Sequence, residues 1–181
     1  MQTRHWIATA LGVAIFMGSM SLVYADGGSK KGSSVGVVTN PLYAEECGAC
    51  HFAYQPGLLP EKSWRNLMGG LADHFGDNAE LPPGDQAEIT AYLAENAADR
   101  VDNKRSARIM RSLAKKGIDA PQRISDIPFI RHEHNEIPRR KLADNPEVKT
   151  IANCNACHTR AAEGYYNEHD VVIPGFGRKR D

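Results

Sequence analysis

The chain has 181 residues, of which 41% are hydrophobic and only 7% aromatic. That suffices for one domain or two small ones, but two lobes of this composition would have thin apolar cores and need a metal, a disulfide or a bulky cofactor as a staple. Lys plus Arg and Asp plus Glu balance at 22 each, so the chain lacks the overall basic excess on which nucleic-acid binding draws.

Arg4 and His5 give the N-terminus a short positive start, and Trp6 to Leu22 is apolar and uncharged. Val23-Tyr24-Ala25 then places small residues where a signal peptidase reads, so residues 1–25 are predicted to be a secretory signal cleaved after Ala25. The apolar run is almost long enough to stay as a membrane anchor, but the small-residue site favours cleavage. The mature protein is then periplasmic and not integral to the membrane. Export also puts the cysteines in an oxidising compartment, where disulfides and other covalent thiol chemistry can occur. Residues 26–39, rich in Gly, Ser and Lys, read as a flexible tether.

Order is predicted to begin at Asn40-Pro41, a capping residue followed by proline in the first helical position, with the helix running into Cys47. Asn145-Pro146-Glu147 predicts a matching helix into Cys154. Between them, Gly57 to Pro60 reads as a loop, and Trp64, Leu67, Leu71 and His74 share one face of a predicted helix. Gly76 and the Pro82-Pro83 pair break it. A second helix is predicted over Asp85 to Asn96, burying Ile89, Tyr92 and Leu93. A basic helix with Lys104, Arg105, Arg108, Arg111, Lys115 and Lys116 follows, and Pro121, Pro128 and Pro138 punctuate a mostly irregular remainder. No segment alternates as a strand would. The expected fold is mainly α, with a first domain over 40–100, a basic linking helix over 101–122 and a second domain over 123–181.

Both are expected to be haem domains because of Cys47-Gly48-Ala49-Cys50-His51 and Cys154-Asn155-Ala156-Cys157-His158, which both match the CxxCH attachment motif of c-type haem. Two thiols three residues apart can each form a thioether to one porphyrin vinyl group, and the next residue carries an imidazole beneath the ring toward the iron. All four cysteines fall in the two motifs. A thioredoxin-like pair would expect an α/β pattern. A Cys₄ zinc site or two disulfides would leave the histidine after each pair unexplained.

An iron with one histidine either takes a second protein ligand and carries electrons, or keeps an open face for chemistry. His74 and Met68 are the candidates at the first haem. His74 is preferred, because a haem gives an imidazole on an apolar face a use and because it precedes the Ile89–Leu93 helix. His132, His134 and His169 are the candidates at the second. His169 lies close behind His158 in a short tail, so an upstream residue is preferred, and sequence alone scarcely separates His132 from His134.

CGACHFAYQPGLLPEKSWRNLMGGLADHFG, EITAYLAENAAD, RISDIPFIRHEHNEIP and VKTIANCNACHTRAAEGYY together resemble the soluble bacterial dihaem cytochrome c family, over roughly Tyr43 to Pro174. The resemblance implies a first lobe similar to class I cytochrome c, a second lobe with little regular structure, and bis-histidine coordination at both irons. It sets the family's distal histidines on His74 and, better than on His132, on His134. It also implies redox partners such as a small oxygen-binding cytochrome or a membrane b-type cytochrome. The expected function is therefore a low-potential periplasmic electron carrier rather than an enzyme. The alternatives are a peroxidase-like dihaem enzyme or a gas sensor with one open iron.

Charge is uneven along the chain. Residues 45–100 hold ten acidic and three basic side chains, whereas residues 101–181 hold eleven acidic and sixteen basic ones. Such an asymmetry can orient a small carrier in a partner's field, although charge runs are also commonly just solvated surface.

Overall fold

The computed structural model describes residues 34–178, so the expected signal peptide and most of the expected tether lie outside the described residues. Among the described residues five α-helices carry the fold: α1 (Pro41–Gly48), α2 (Glu61–Gly69), α3 (Pro83–Glu95), α4 (Lys104–Lys116) and α5 (Pro128–His134). Short 3₁₀ turns connect them and make up much of the remainder. An antiparallel pair of two-residue strands, β1 (Val172–Ile173) and β2 (Gly177–Arg178), closes the chain. Among the described residues no helix is long and apolar enough to cross a membrane.

Local chemistry explains where these helices begin and end. The Asn40 side chain accepts from the Tyr43 N–H at 2.7 Å and Pro41 occupies the first turn of α1, satisfying a donor that has no partner inside the helix. Asn103 does the same for α4 through the Ser106 N–H at 2.8 Å. At the other end of α4, Gly117 adopts φ 65° and the Ile118 N–H reaches back to the Leu113 carbonyl at 3.1 Å, a left-handed stop that glycine makes without strain.

One core takes side chains from both halves of the sequence: Tyr43 of α1, Trp64 and Leu67 of α2, Ile89 and Leu93 of α3, Ile109 and Leu113 of α4, and Ile127, Ala161 and Tyr166 beyond. The basic helix is therefore two-sided. Ile109 and Leu113 are buried while Arg111, Lys115 and Lys116 face solvent.

Three sequence expectations are corrected. Asn145-Pro146 does not open a helix. The Asn145 Oδ1 accepts from the N–H only two residues on, at 3.1 Å, while its amide donates to the Pro174 carbonyl at 3.0 Å, so a tight turn replaces the expected first helical turn. Cys154–Ala156 then forms only a 3₁₀ turn. Residues 128–134, expected to be irregular, form α5, with Pro128 pre-set for its first turn. Finally, the end of the expected tether is not loose. Val35 is buried, and its N–H donates to the Gly164 carbonyl at 2.9 Å.

That N-terminal segment lies against both halves. A Cβ on Gly57 would meet the Val35 carbonyl oxygen at 2.9 Å, and one on Gly164, which sits at φ +76°, would meet the Gly36 oxygen at 2.0 Å. Gly164→Ala should therefore destabilise the folded protein by about 2 kcal/mol or more, combining left-handed strain with a backbone clash. Thermal unfolding should show a lowered midpoint, whereas Gly69→Ala, with nothing within 4 Å of the added carbon, should show none.

Candidate functional site

Cys47 sits near the end of α1, and Cys50 and His51 follow as the chain leaves the helix. A carbonyl can only accept, so the 2.8 Å contact between His51 Nδ1 and the Phe52 carbonyl assigns the proton to Nδ1 and leaves Nε2 with a free lone pair. The ring lies 5.3 Å from that of Tyr54. Opposite it stands His74, 6.2 Å between ring centroids and only 20° between ring planes.

His74 reaches that place by a different route from the expected one. α2 stops at Gly69, a 3₁₀ turn spans Leu71–Asp73, and His74 begins a tight reversal. Its N–H donates to the Asp77 carbonyl at 2.7 Å, and the Asp73 carboxylate accepts from the Gly76 N–H at 2.9 Å. The turn holds Phe75 at φ 58° and Gly76 at φ 103°. A left-handed aromatic residue is costly, and the Arg123 guanidinium stacked 3.8 Å over the Phe75 ring helps secure it. Met68, the other candidate, is buried in the core.

The second constellation lies at a concave cavity of about 490 Å³, lined among others by Cys154, Cys157, His158, His134, Tyr166 and Arg105. Pockets of a few hundred cubic ångströms are the usual size for a bound cofactor. The His134 and His158 rings stand 6.1 Å apart with their planes at 72°. His134 is at the end of α5, where its Nδ1 donates to the Ile130 carbonyl at 2.7 Å, again leaving Nε2 free. Two helical positions point roughly 200° apart, so His132 is exposed on another side of α5. His169 is exposed as well.

Electrostatics suits these rings to metal ligation. Burial, aided by His134 and Arg105, holds the His158 imidazole neutral and lowers its pKa to about 4. His74 is shifted in the same direction, first by burial and then by His51. Burial pushes the Cys47 and Cys154 thiols up to about 11, the opposite of the lowered values that reactive or thiolate-ligating cysteines show. None of the four cysteines pairs in a disulfide, and among the described residues no cluster of three or more His, Cys, Asp or Glu side chains forms a metal-ligating set. Thiol redox, disulfide and zinc readings are all poorly served by this arrangement.

The histidine pairs suit something larger between them. A metal–imidazole bond of about 2 Å, plus roughly 1.1 Å from nitrogen to ring centre, puts two imidazole centroids on opposite sides of one metal about 6.2 Å apart. Both pairs stand at that separation.

The family model described as dihaem cytochrome c matches residues 43–166. The chain belongs to the dihaem cytochrome c family. Its fold is similar to the solved structure of a dihaem cytochrome type c from Shewanella baltica OS155, at 39% identity and TM-score 0.64, covering 78% of this chain and 98% of that one. It is also similar to a dihaem cytochrome c from Rhodobacter sphaeroides, at 40% identity and TM-score 0.63, covering 72% and 98%. No curated protein matches it. Membership brings two covalently attached c-type haems, a role in electron transfer, and a mainly helical architecture, as observed.

Single-sequence reasoning missed the side chains that tie the two sites together. The Tyr54 hydroxyl donates to the Ala152 carbonyl at 2.8 Å, two residues before Cys154. The Tyr166 ring lies 5.2 Å from His158, and its hydroxyl donates to the Gln55 side chain. Each CxxCH histidine thus packs on a tyrosine whose hydroxyl bonds into the other half, a relation for which a lone sequence carries no periodic signal.

Covalent attachment has a direct check. The purified protein should keep haem stain through denaturing electrophoresis and weigh two haems more than its polypeptide. Cys157→Ser should disturb one attachment and leave the other intact.

Proposed function

We propose that this member of the family is an exported, periplasmic electron carrier in which two imidazoles close each iron: His51 with His74, and His158 with His134. The observation that carries the reading is the pair of imidazole separations, 6.2 and 6.1 Å. Each haem supplies an iron that alternates between ferric and ferrous. The thioethers at Cys47, Cys50, Cys154 and Cys157 fix haem orientation, and the carbonyls of Phe52 and Ile130 fix the His51 and His134 tautomers. With both imidazoles of a pair on its iron, neither haem would offer a site for substrate, which favours the carrier over a peroxidase-like enzyme or a gas sensor.

Histidine in both positions, rather than methionine, implies low potentials, because methionine ligation raises the potential of a c-type haem. The first lobe is expected to be similar to class I cytochrome c. The partner is another redox protein, and the family resemblance points to a small oxygen-binding cytochrome or a membrane b-type cytochrome.

Ligand substitution tests the coordination. His74→Met should raise the midpoint potential of one haem and leave the other nearly unchanged, and His134→Met should do the same for the other haem. His74→Ala and His134→Ala should each open one iron to carbon monoxide, whereas His132→Ala should open none. A six-coordinate low-spin spectrum surviving in either of the first two alanine variants would remove that residue from the ligand set.

Charge is expected to govern encounter. Oxidation of the reduced protein by hexacyanoferrate, an anionic reagent, should slow as salt rises, because screening confines exposed charges to about 8 Å at physiological ionic strength. Reversing Arg111, Lys115 and Lys116 on the exposed side of α4 to Glu should slow it at low salt without moving either potential. Rates flat across salt and unaffected by the reversal would reduce these charges to a solubility role.

A further inference from the structure

The two sites are built alike in their ligands but not in their surroundings, and the difference centres on Arg105. This residue leaves α4 toward the cavity of the second site, where desolvation makes its charge costly and lowers its pKa. Its Nη2 donates to the Tyr166 carbonyl at 2.8 Å, and its guanidinium carbon lies 5.9 Å from the ring centres of both Phe129 and Tyr166. Its Nε is buried and has no protein partner. Five other titratable groups lining the cavity, Lys104, Arg108, Glu133, Glu136 and Glu168, are exposed, and Lys141 is half-buried. Water screens the exposed charges strongly and Arg105, half-buried with its Nε enclosed, less.

The first site has no such cation in its own sequence surroundings. It lies in the stretch where acidic side chains outnumber basic ones ten to three. The Arg123 guanidinium, whose charge reaches His74, stacks on the Phe75 ring at the surface and is itself exposed, so water screens it. Hydrogen bonding to the ligands does not separate the sites, since His51 donates to the Phe52 carbonyl at 2.8 Å and His134 to the Ile130 carbonyl at 2.7 Å, one imidazole in each pair. A nearby, partly desolvated positive charge favours ferrous over ferric iron, and among the described residues only the second site has one, in Arg105.

Building on bis-histidine ligation at both irons, we propose that the second haem, at Cys154, Cys157 and His158, has the higher potential of the two, and that Arg105 is the positioned charge that sets the difference. Electrons delivered to either haem then come to rest on the second, and leave the protein from the basic half.

The ring geometry supplies a way to tell the haems apart. Near-parallel axial imidazoles separate the two iron d orbitals they overlap, while near-perpendicular ones leave those orbitals close in energy and give a larger highest g value in the ferric spectrum. The 20° and 72° angles thus predict distinct low-temperature resonance signals for the first and second haems. In a redox titration followed by this spectrum, the signal with the larger g value should vanish at the higher potential. Arg105→Gln should lower that midpoint by the equivalent of about a tenfold change in the ferrous-to-ferric ratio, about 59 mV for one electron, and leave the other midpoint in place. Arg105→Lys, which keeps the charge but not the fork, should fall between wild type and Gln.

Loss of the smaller-g signal first in the wild type would overturn the proposal. So would a second midpoint unmoved by Arg105→Gln, or both midpoints moving together. If the Gln variant does not keep both irons low-spin, the Lys variant decides alone: a lowered second midpoint supports the role and a wild-type value overturns it. A high-spin iron in the wild-type protein would instead refute the bis-histidine carrier itself, so the two failures are distinguishable.

Discussion

The side chain of Gln55 is wholly buried between the two halves of the molecule. Its amide donates to the Ala161 carbonyl at 2.6 Å and its oxygen accepts from the Tyr166 hydroxyl. A buried amide left unbonded costs about 1–3 kcal/mol per group, so these partners are obligatory, and both belong to the segment after the second CxxCH motif. Gln55 itself lies four residues after His51. Fixing it fixes the spacing of the two attachment sites, and the Tyr54–Ala152 bond and the docking of Val35 on Gly164 fit the same placement.

A carrier with two irons depends on that constraint more than on the stability of either half. Electron passage between cofactors is sensitive to their separation, and a loose linker would leave that separation undefined. α4 contributes through Ser106, whose hydroxyl donates to the Gly57 carbonyl at 2.6 Å beneath the N-terminal segment. The same helix carries Arg105 toward the second site and a cationic row toward solvent. One amphipathic helix thus joins the core, the second haem environment and the outer charge of the protein.

Legibility in the sequence followed the range of the interactions. α1, α3 and α4 were readable because the Asn40-Pro41 start, the apolar spacing of Ile89 and Leu93 and the run of Lys and Arg from Lys104 to Lys116 are all local signals, whereas the Asn103 cap of α4 was not picked out. The CxxCH motifs were readable because covalent chemistry fixes their spacing. His74 was singled out but placed on the wrong element, since the Gly69-Gly70 break and the reversal at Phe75 yield to contacts with Asp77 and Arg123. Asn145-Pro146 looked like a helix start, but the bond from Asn145 to Pro174 spans 29 residues and has no local trace. α5 is too short to show a period, so the divergence of His132 and His134 around it could not be read from spacing.

The 3₁₀ turn that presents Cys154 and Cys157 has a consequence for how the protein matures. The first motif is borne on a capped helix packed into the main core, whereas beyond α5 Val148 and Ile173 are buried outside that core and the chain is mostly turns. Apart from Ala161 and Tyr166, which join the main core, little there repays the entropy of ordering the backbone until a large apolar ring is bound. Attachment of the second haem would then complete the folding of this half, and a chain that missed it would present an irregular C-terminal half to proteases. Cofactor loading would thereby serve as the protein's own quality control.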